Sequence, residues 1–179
     1  ISSNKKRMTV ATYVTPRTDK EYEYPSFRVA RPPVHIIFAV TESDEIVVVR
    51  QYRHGADKII YELPGGLQDE DETDLHCILR ELLEETGYSA EEIHRLGGPI
   101  YFEPGSLDFQ FQPFAAVNCK KTAEPKPDAN EDIEVVVIPV AVWVAGIKSG
   151  EIYTDAKSMA TTFLALRAHR HAKTCDRKI

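Results

Sequence analysis

The chain has little of what marks secreted, membrane-spanning or nucleic-acid-binding proteins. Its 179 residues include three cysteines, an odd number with no metal-ligand spacing, so we expect neither a disulfide framework nor a cysteine metal site. No apolar run reaches the ~18 residues of a membrane-spanning helix, and the amino end has no apolar export signal. A net charge of -6 argues against binding nucleic acid or anionic lipid. We therefore expect a cytoplasmic protein with reduced thiols.

What the chain does contain is a series of apolar strands with helical segments between them. Alternating or continuous apolar patterns predict strands at 9–14, 21–29, 34–40, 45–53, 99–103, 109–118 and 133–138, and a short strand in KIIYELPGG. A 3.6-residue period predicts helices at 73–86, about 140–149 and 155–171. This order predicts an α/β fold in which helices cover both faces of a mixed sheet.

We find no linker that would divide the chain. Residues 31–179 are expected to form the main domain, and residues 1–30 to contribute amino-terminal strands to that same domain. Because the first residue is Ile, we expect the native start at Met8.

One helical segment collects carboxylates at unusual density. In GLQDEDETDLHCILRELLEETGY (66–88), the helical period groups Glu81, Glu84 and Glu85 on one face. The same period predicts that a stripe of leucines, Leu75, Leu79 and Leu82, packs the opposite side. Two like charges ~4 Å apart repel by about 4 kcal/mol at the effective dielectric near a protein surface. A sheltered cluster would need a hard divalent cation such as Mg²⁺, whereas an exposed one would be an ordinary solvated helix face.

The spacing of the whole segment decides between these alternatives. Gly66 is followed by five residues and Glu72, then by seven residues and Arg80-Glu81-Leu82, and the segment ends in Glu84-Glu85, one residue, Gly87 and Tyr88. This pattern resembles the Nudix box of the Nudix hydrolases at every fixed position, with aromatic Tyr88 where an aliphatic residue is usual. A chance match is on the order of one in a million.

The resemblance implies a Nudix fold, which is an α/β/α sandwich. It also implies that the protein hydrolyses a nucleoside diphosphate linked to another group. It implies Mg²⁺, or Mn²⁺, as the cofactor. Glu81, Glu84, Glu85 and the backbone carbonyl of Gly65 are implied metal ligands, and Glu81 and Glu85 are implied catalytic residues. Glu72 and Arg80 would be the pair that orients the loop and the helix.

Residues outside the box resemble the ADP-ribose and nucleoside-diphosphate-sugar pyrophosphatase branch of this family. RQYR and YELPGG look like that branch's approach to the box, which makes Arg53 an implied phosphate contact and Glu62 an implied substrate-binding residue. Pro104, sixteen residues past the box, stands where the branch carries proline, and Asp108 remains of the acidic residues that follow. The implied substrate is a nucleoside diphosphate sugar.

The sequence departs from this branch at the general base. Some members carry a glutamate two residues before the glutamate of NEDI, and here that position is Ala129. Glu131 is then expected as a loop metal ligand or as the base, with Asp128 a second candidate. The substitution also leaves open a non-catalytic sensor that binds a nucleotide sugar.

Further expectations concern the oligomeric state, the disfavoured substrates and the residues that have no expected catalytic role. The branch commonly uses amino-terminal strands to build a homodimer that completes the pocket, so we expect a dimer through residues 9–30. Pro104 and the low positive charge disfavour two other activities, the hydrolysis of nucleoside triphosphates and the removal of RNA caps. His35 is expected to be a core or surface histidine and not a catalytic one, and Trp143 is expected to pack in the core. Tyr52, Tyr61, Tyr101 and Phe102 are expected to pack in the core or to stack a base or sugar.

Overall fold

Two sheets and three helices organise the chain in a computed structural model that describes residues 7–14, 21–28, 34–105, 107–126 and 132–175. The amino-terminal sheet is an antiparallel pair, β1 (Arg7–Val14) and β2 (Glu21–Arg28). The main sheet contains β3 (Val34–Thr41), β4 (Glu45–Arg53), β5 (Lys58–Glu62), β6 (Gly65–Leu67), β7 (Tyr88–Ser89), β8 (Glu92–Arg95), β9 (Ile100–Tyr101), β10 (Gln110–Lys121) and β11 (Glu134–Pro139). The helices are α1 (Asp74–Thr86), α2 (Val140–Ser149) and α3 (Ala156–Cys175).

The main sheet is mixed, as the sequence predicts. Its central order is β11-β4-β3-β10-β7, and β3 runs parallel to β10 while the other pairings are antiparallel. The short strands extend its ends: β5 pairs with β4, β6 with β3, and β8 and β9 with β10. The two-residue β7 and the four-residue β8 were not predicted, because segments so short carry no readable period.

Helices cover both faces of this sheet, which confirms the predicted layers. Ile36 and Phe38 of β3 lie in one core cluster with Trp143 of α2 and Ala165 of α3. The alternate strand residues lie in a second cluster, with Ile78 and Leu82 of α1. Because β3 and β4 are buried on both sides, they read as continuous apolar runs. Trp143 is fully buried, as predicted, and its Nε1 donates to Thr162 Oγ1 at 3.0 Å.

The predicted leucine stripe of α1 is wrong at its first member. Leu75 is 49% exposed, and the buried residues of the helix are Cys77, Ile78, Leu82, Glu85 and Thr86. The buried face of the helix therefore runs through Ile78, Leu82 and Glu85. Ile78 and Leu82 pack in the core, and Glu85 accepts from the backbone N–H of Gly65. Burial of Glu85 is the functional constraint that an apolar-stripe argument omits.

The ends of α1 are fixed by local hydrogen bonds. Thr73 caps the amino end by accepting from the backbone N–H of His76 at 3.3 Å, so the acids of residues 69–72 precede the helix. Gly87 closes the other end with φ 75°, as Thr86-Gly87 predicts. No helix among the described residues is long and apolar enough to cross a membrane.

Candidate active site

A cavity of about 1250 Å³ opens between α1 and the ends of β4 and β5. One wall is the Nudix-box segment, with Gly65, Gly66, Asp69, Arg80, Glu81, Glu84 and Glu85. The opposite wall comes from β4, β5 and the start of α3, with Arg53, Glu62, Thr154, Asp155 and Lys157. Phe102 and Phe109 also line it. The fold thus brings the predicted box glutamates, Arg53 and Glu62 to one space.

Arg80 is the centre of the first wall. Its Nε and Nη2 donate to the two carboxylate oxygens of Glu72, each at 3.0 Å, and Nη2 also donates to the carbonyl of Leu67 at 3.1 Å. Its Nη1 donates to Glu81 at 2.9 Å and to Glu84 at 3.1 Å. These bonds hold the pKa of Glu72 below its ordinary value and raise that of Arg80. Loop and helix are therefore tied through one guanidinium.

Two glycines make room for the carboxylates. Gly65 donates its N–H to Glu85 Oε2 at 2.9 Å, and its φ of 155° and the backbone oxygen of His35, 2.0 Å from any added Cβ, exclude a side chain. A Cβ on Gly66 would lie 2.2 Å from Glu81 Oε1. The two glycines at the start of β6 thus let backbone and carboxylates approach closely.

The oxygen atoms that line the first wall are of the chemical type that a hard divalent cation binds. Carboxylate and carbonyl oxygens are the ligands that Mg²⁺ and Mn²⁺ take, and three box glutamates line one wall. In the observed conformation, no three His, Cys, Asp or Glu side chains in the described part of the chain converge closely enough to hold a metal. Arg80 is the counter-charge of Glu81 and Glu84 here, so these two carboxylates would have to exchange it for a cation.

The second wall is a network of two cations and two carboxyl groups. Arg53 Nε donates to Glu62 Oε2 at 2.6 Å, and the Glu62 side chain is 7% exposed. Lys157 donates to Asp155 and lies 3.9 Å from Glu62 Oε1. Asp155 also accepts from the N–H of Ser158 at 2.7 Å. Burial, ahead of the hydrogen bond to Asp155, raises the pKa of Glu62 despite the opposing effect of Arg53.

Sequence reasoning missed Asp155 and Lys157. The sequence feature that could have indicated them is the TDAKS segment at the start of α3. In the structure Asp155 caps the first turn of α3, and Lys157 lines the cavity. The isolated bridge between Tyr61 and Thr154 attaches this segment to β5. Together with the bond from Leu63 N to Ser158 Oγ, 2.9 Å long, this non-local contact brings residue 155 next to residue 62.

The remaining predicted residues fall in three places. Pro104 and Asp108 are exposed and are not part of the cavity lining, although the neighbouring Phe102 and Phe109 are. His35 is buried, which is one of the two expected alternatives, and its Nε2 lies 3.2 Å from Gln68 Oε1. Among the predicted aromatics, Tyr52, Tyr101 and Phe102 are exposed, whereas Tyr61 packs partly against the core.

The loop candidates Asp128, Ala129 and Glu131 lie outside the described residues. The chain before them is fixed against α1: Gly87 O accepts from the N–H groups of Thr122 and Ala123 at 2.9 and 3.1 Å. Lys126 N donates to the backbone carbonyl of Glu84 at 2.7 Å. The described chain is therefore bonded to a box glutamate at Lys126.

Comparisons with known proteins agree with this geometry. The NUDIX domain model matches residues 30–155. The chain is 29% identical over 140 residues to the ADP-ribose pyrophosphatase of Bacillus subtilis, covering 78% of this chain and 75% of that protein. It is 33% identical over 126 residues to the GDP-mannose pyrophosphatase of Citrobacter koseri, covering 66% and 64%.

Among solved structures, the crystal structure of an ADP compounds hydrolase superposes with a TM-score of 0.73 at 19% identity, covering 96% of this chain and 98% of the other. That likeness establishes the fold. Together with the domain match and the box geometry, it shows that the chain belongs to the Nudix family and is a Nudix hydrolase.

Proposed function

We propose that the protein hydrolyses the pyrophosphate bond of ADP-ribose or a related nucleoside diphosphate sugar in a Mg²⁺-dependent reaction in the cytoplasm. The products would be a nucleoside monophosphate and a sugar phosphate. The observation that supports this most is the pairing of walls: the box glutamates and the Arg53–Glu62 pair line one cavity. A diphosphate with its cation needs carboxylates on one side and a guanidinium on the other.

Each wall has a separate task in this proposal. Nudix hydrolases generally use divalent cations, and a bound cation would offset phosphate charge and make a water a better nucleophile. Glu81, Glu84, Glu85, Glu131 and the Gly65 carbonyl are its proposed ligands. Through its bonds to Glu72 and to the Leu67 carbonyl, Arg80 keeps the segment that follows Gly65 and Gly66 against α1, so that the box glutamates and the Gly65 carbonyl stay in place.

Arg53 is the proposed phosphate contact. Its side chain is half exposed while Nε is bonded to the buried Glu62, so the guanidinium is oriented by one edge and open at the other. The proton of the attacking water would pass to Glu131, or to Asp128, since a loop residue can come within reach when substrate is bound. Pro104 and Asp108 remain proposed substrate contacts.

The test is a substrate panel with Mg²⁺ and with Mn²⁺, and with products identified by mass. ADP-ribose, GDP-mannose, UDP-glucose and ADP-glucose are compared at equal concentration, with a chelator as the metal-free control. We expect monophosphate release from at least one of them. No release from any substrate would refute the proposal.

Ala129, in place of the base of some relatives, supports one alternative: a non-catalytic sensor of the same ligands. A sensor would gain thermal stability from a nucleotide sugar without forming product, because a ligand that binds only the native state raises its stability.

We also propose a homodimer formed through residues 9–30. The antiparallel β1–β2 pair is separate from the main sheet and offers strands for such contacts. Sedimentation at micromolar concentration should give twice the chain mass of 20.2 kDa. A monomer under those conditions would contradict this.

A further inference from the structure

We infer that His35, a buried histidine of β3, is a positioning residue for the box helix and acts on Arg80 through Gln68. His35 is fully buried, and its Nε2 lies 3.2 Å from Gln68 Oε1. Gln68 Nε2 donates to the backbone carbonyl of Glu72, and the carboxylate of Glu72 accepts twice from Arg80, each time at 3.0 Å. A continuous series of contacts therefore joins the core of the sheet to the guanidinium that the box glutamates contact.

The direction of each hydrogen bond in this series follows from its last acceptor. The backbone oxygen of Glu72 can only accept, so the amide atom of Gln68 that faces it is the nitrogen. The amide oxygen of Gln68 then faces His35, and this oxygen also only accepts. Nε2 of His35 therefore carries a proton and is the donor at the buried end of the series.

Gln68 stands where backbone pairing stops holding the segment before α1. Strand β6 pairs with β3 through residues 65–67, and residues 68–73 belong to neither a strand nor a helix. Within this loop, Asp69 and Glu72 bond to each other, which shapes the turn but does not attach it to the sheet. The side chain of Gln68 makes that attachment, since it contacts His35 on β3 and donates to Glu72 at the far end of the loop.

The burial of His35 argues for a role beyond packing. It is as buried as the apolar residues 36–39 that follow it in β3. Burying an imidazole costs free energy unless its nitrogens are bonded, and within the described part of the chain Nδ1 has no hydrogen-bond partner. A leucine would fill a similar volume without this cost. What a leucine would lack is the donor to Gln68.

The consequence for the site follows from what Arg80 contacts. When the loop is loose, the carboxylate of Glu72 no longer fixes the guanidinium, and Glu81 and Glu84 lose a fixed partner. Groups that hold metal ligands from behind tune metal affinity in this way. The effect on the cation rests on the proposed function, whereas the effect on the position of Arg80 does not.

The direct test measures how fast the proton on Arg80 Nε exchanges with water, by ¹⁵N NMR of the protein without metal. His35→Leu removes the buried donor, and Gln68→Met removes the amide from a half-buried side chain, so one variant remains informative if the other fails to fold. We expect exchange to become about tenfold faster in both, because the bond to Glu72 opens more often.

Gln112→Met is the matched control. Gln112 is a buried amide on β10, paired in register with His35, but it donates to the backbone carbonyls of Gly97 and Pro113 and not to the box. This variant should leave the exchange at Arg80 unchanged, whatever its thermal midpoint. The midpoint of His35→Leu should be unchanged or higher.

A second measurement is the binding of Mn²⁺ alone, followed by the electron paramagnetic resonance of the free ion. The dissociation constant should rise about tenfold in His35→Leu and in Gln68→Met. The double variant should bind no more weakly than Gln68→Met, because both changes break the same contact. His35→Gln, whose amide nitrogen can donate from nearly the same place, should restore most of the affinity.

The outcomes separate this role from general loosening and from the proposed function. Unchanged exchange at Arg80, or unchanged Mn²⁺ affinity, in both variants would overturn the inference. An equal effect of Gln112→Met would also overturn it, since any lost buried amide would then suffice. If the wild type bound no Mn²⁺ or released no product, the proposed function would fail, and the exchange measurement would still decide the role of His35.

Discussion

The two walls of the cavity differ in how the chain assembles them and in the charge they carry. On the α1 wall, the carboxylates of Glu72, Glu81 and Glu84 share the guanidinium of Arg80. A fourth carboxylate oxygen, Asp69 Oδ2, lies 3.8 Å from Arg80 Nε, so negative charge is in excess. On the opposite wall, Arg53 and Lys157 meet an equal number of carboxyl groups. An excess of carboxylates favours a cation, whereas the wall that carries Arg53 and Lys157 offers cationic hydrogen-bond donors to an anion.

Their origins in the sequence differ as strongly. The first wall lies within residues 65–85, at spacings set by one loop and one helix. The second wall combines positions 53, 62 and 155–157, which meet because β4 pairs with β5 and because residues 153–154 and 158 bond to the chain at residues 61 and 63. One half of this site is therefore local in origin and the other half tertiary, and each half should fail differently when altered.

The largest expected effect is on the α1 wall. Glu85→Gln keeps the size of the side chain and an oxygen that can accept from Gly65 N–H, but removes the charge. We expect turnover to fall by on the order of a hundredfold or more, with a nearly unchanged thermal midpoint. Steady-state kinetics on ADP-ribose with Mg²⁺, beside a melting curve, would measure both. Unchanged turnover would remove Glu85 from the site.

The next largest effect is expected from a test of the close approach at Gly66, at the start of β6. In Gly66→Ala the new methyl group would lie 2.2 Å from Glu81 Oε1, the mobile end of a side chain, so Glu81 should move and the fold should persist. We expect activity to fall about tenfold or more, and the free energy of unfolding to change by less than about 1 kcal/mol. Gly98→Ala, where an added Cβ meets nothing within 4 Å, is the matched control. Equal losses in both variants would contradict the close-approach argument.

A substitution on the second wall should affect binding more than turnover. Arg53→Lys keeps the charge and loses the planar donor edge that Glu62 orients. We expect KM to rise on the order of tenfold and kcat to change less, since phosphate contacts in the ground state are weakened. The kinetics of this variant and of Glu85→Gln would define the comparison. A fall in kcat alone would place Arg53 in the chemical step instead.

The walls should also respond oppositely to pH. The pKa of Glu72 is lowered by Arg80, so its contribution to stability is present above the ordinary Glu value and is lost as pH falls. The pKa of Glu62 is raised by burial, so its contribution is present at low pH and is lost as pH rises through the raised pKa. Urea unfolding across pH should show Glu72→Gln converging on the wild type in acid. Glu62→Gln should gain relative stability with rising pH, and parallel curves would contradict both assignments.

These differences explain what the sequence could predict. The strands from Val34 to Arg53, helix α1 and both later helices follow from period and from end signals such as Gly87, because those depend on neighbours in the chain. The box residues were found for the same reason. Asp155 and Lys157 were not, since they reach the cavity beside Glu62, and Lys157 follows Glu62 by 95 positions in the chain. The stripe prediction considered only apolar side chains, so it missed the burial of Glu85 and was wrong at Leu75, although Leu82 is buried as predicted.

The smallest expected effect lies outside both walls. Arg50 and Glu134 form an ion pair of 2.6 Å between β4 and β11, as short as the Arg53–Glu62 pair, but Glu134 is 61% exposed. Solvent screens such a pair, so Glu134→Gln should change the free energy of unfolding by less than about 1 kcal/mol and leave KM unchanged. Denaturant titration and kinetics would measure both. The two Arg–Glu distances are equal. If the free energy of unfolding responded to Glu134→Gln as strongly as to Glu62→Gln, contact length would set the size of that response, and the burial of Glu62 beside a second carboxyl would not.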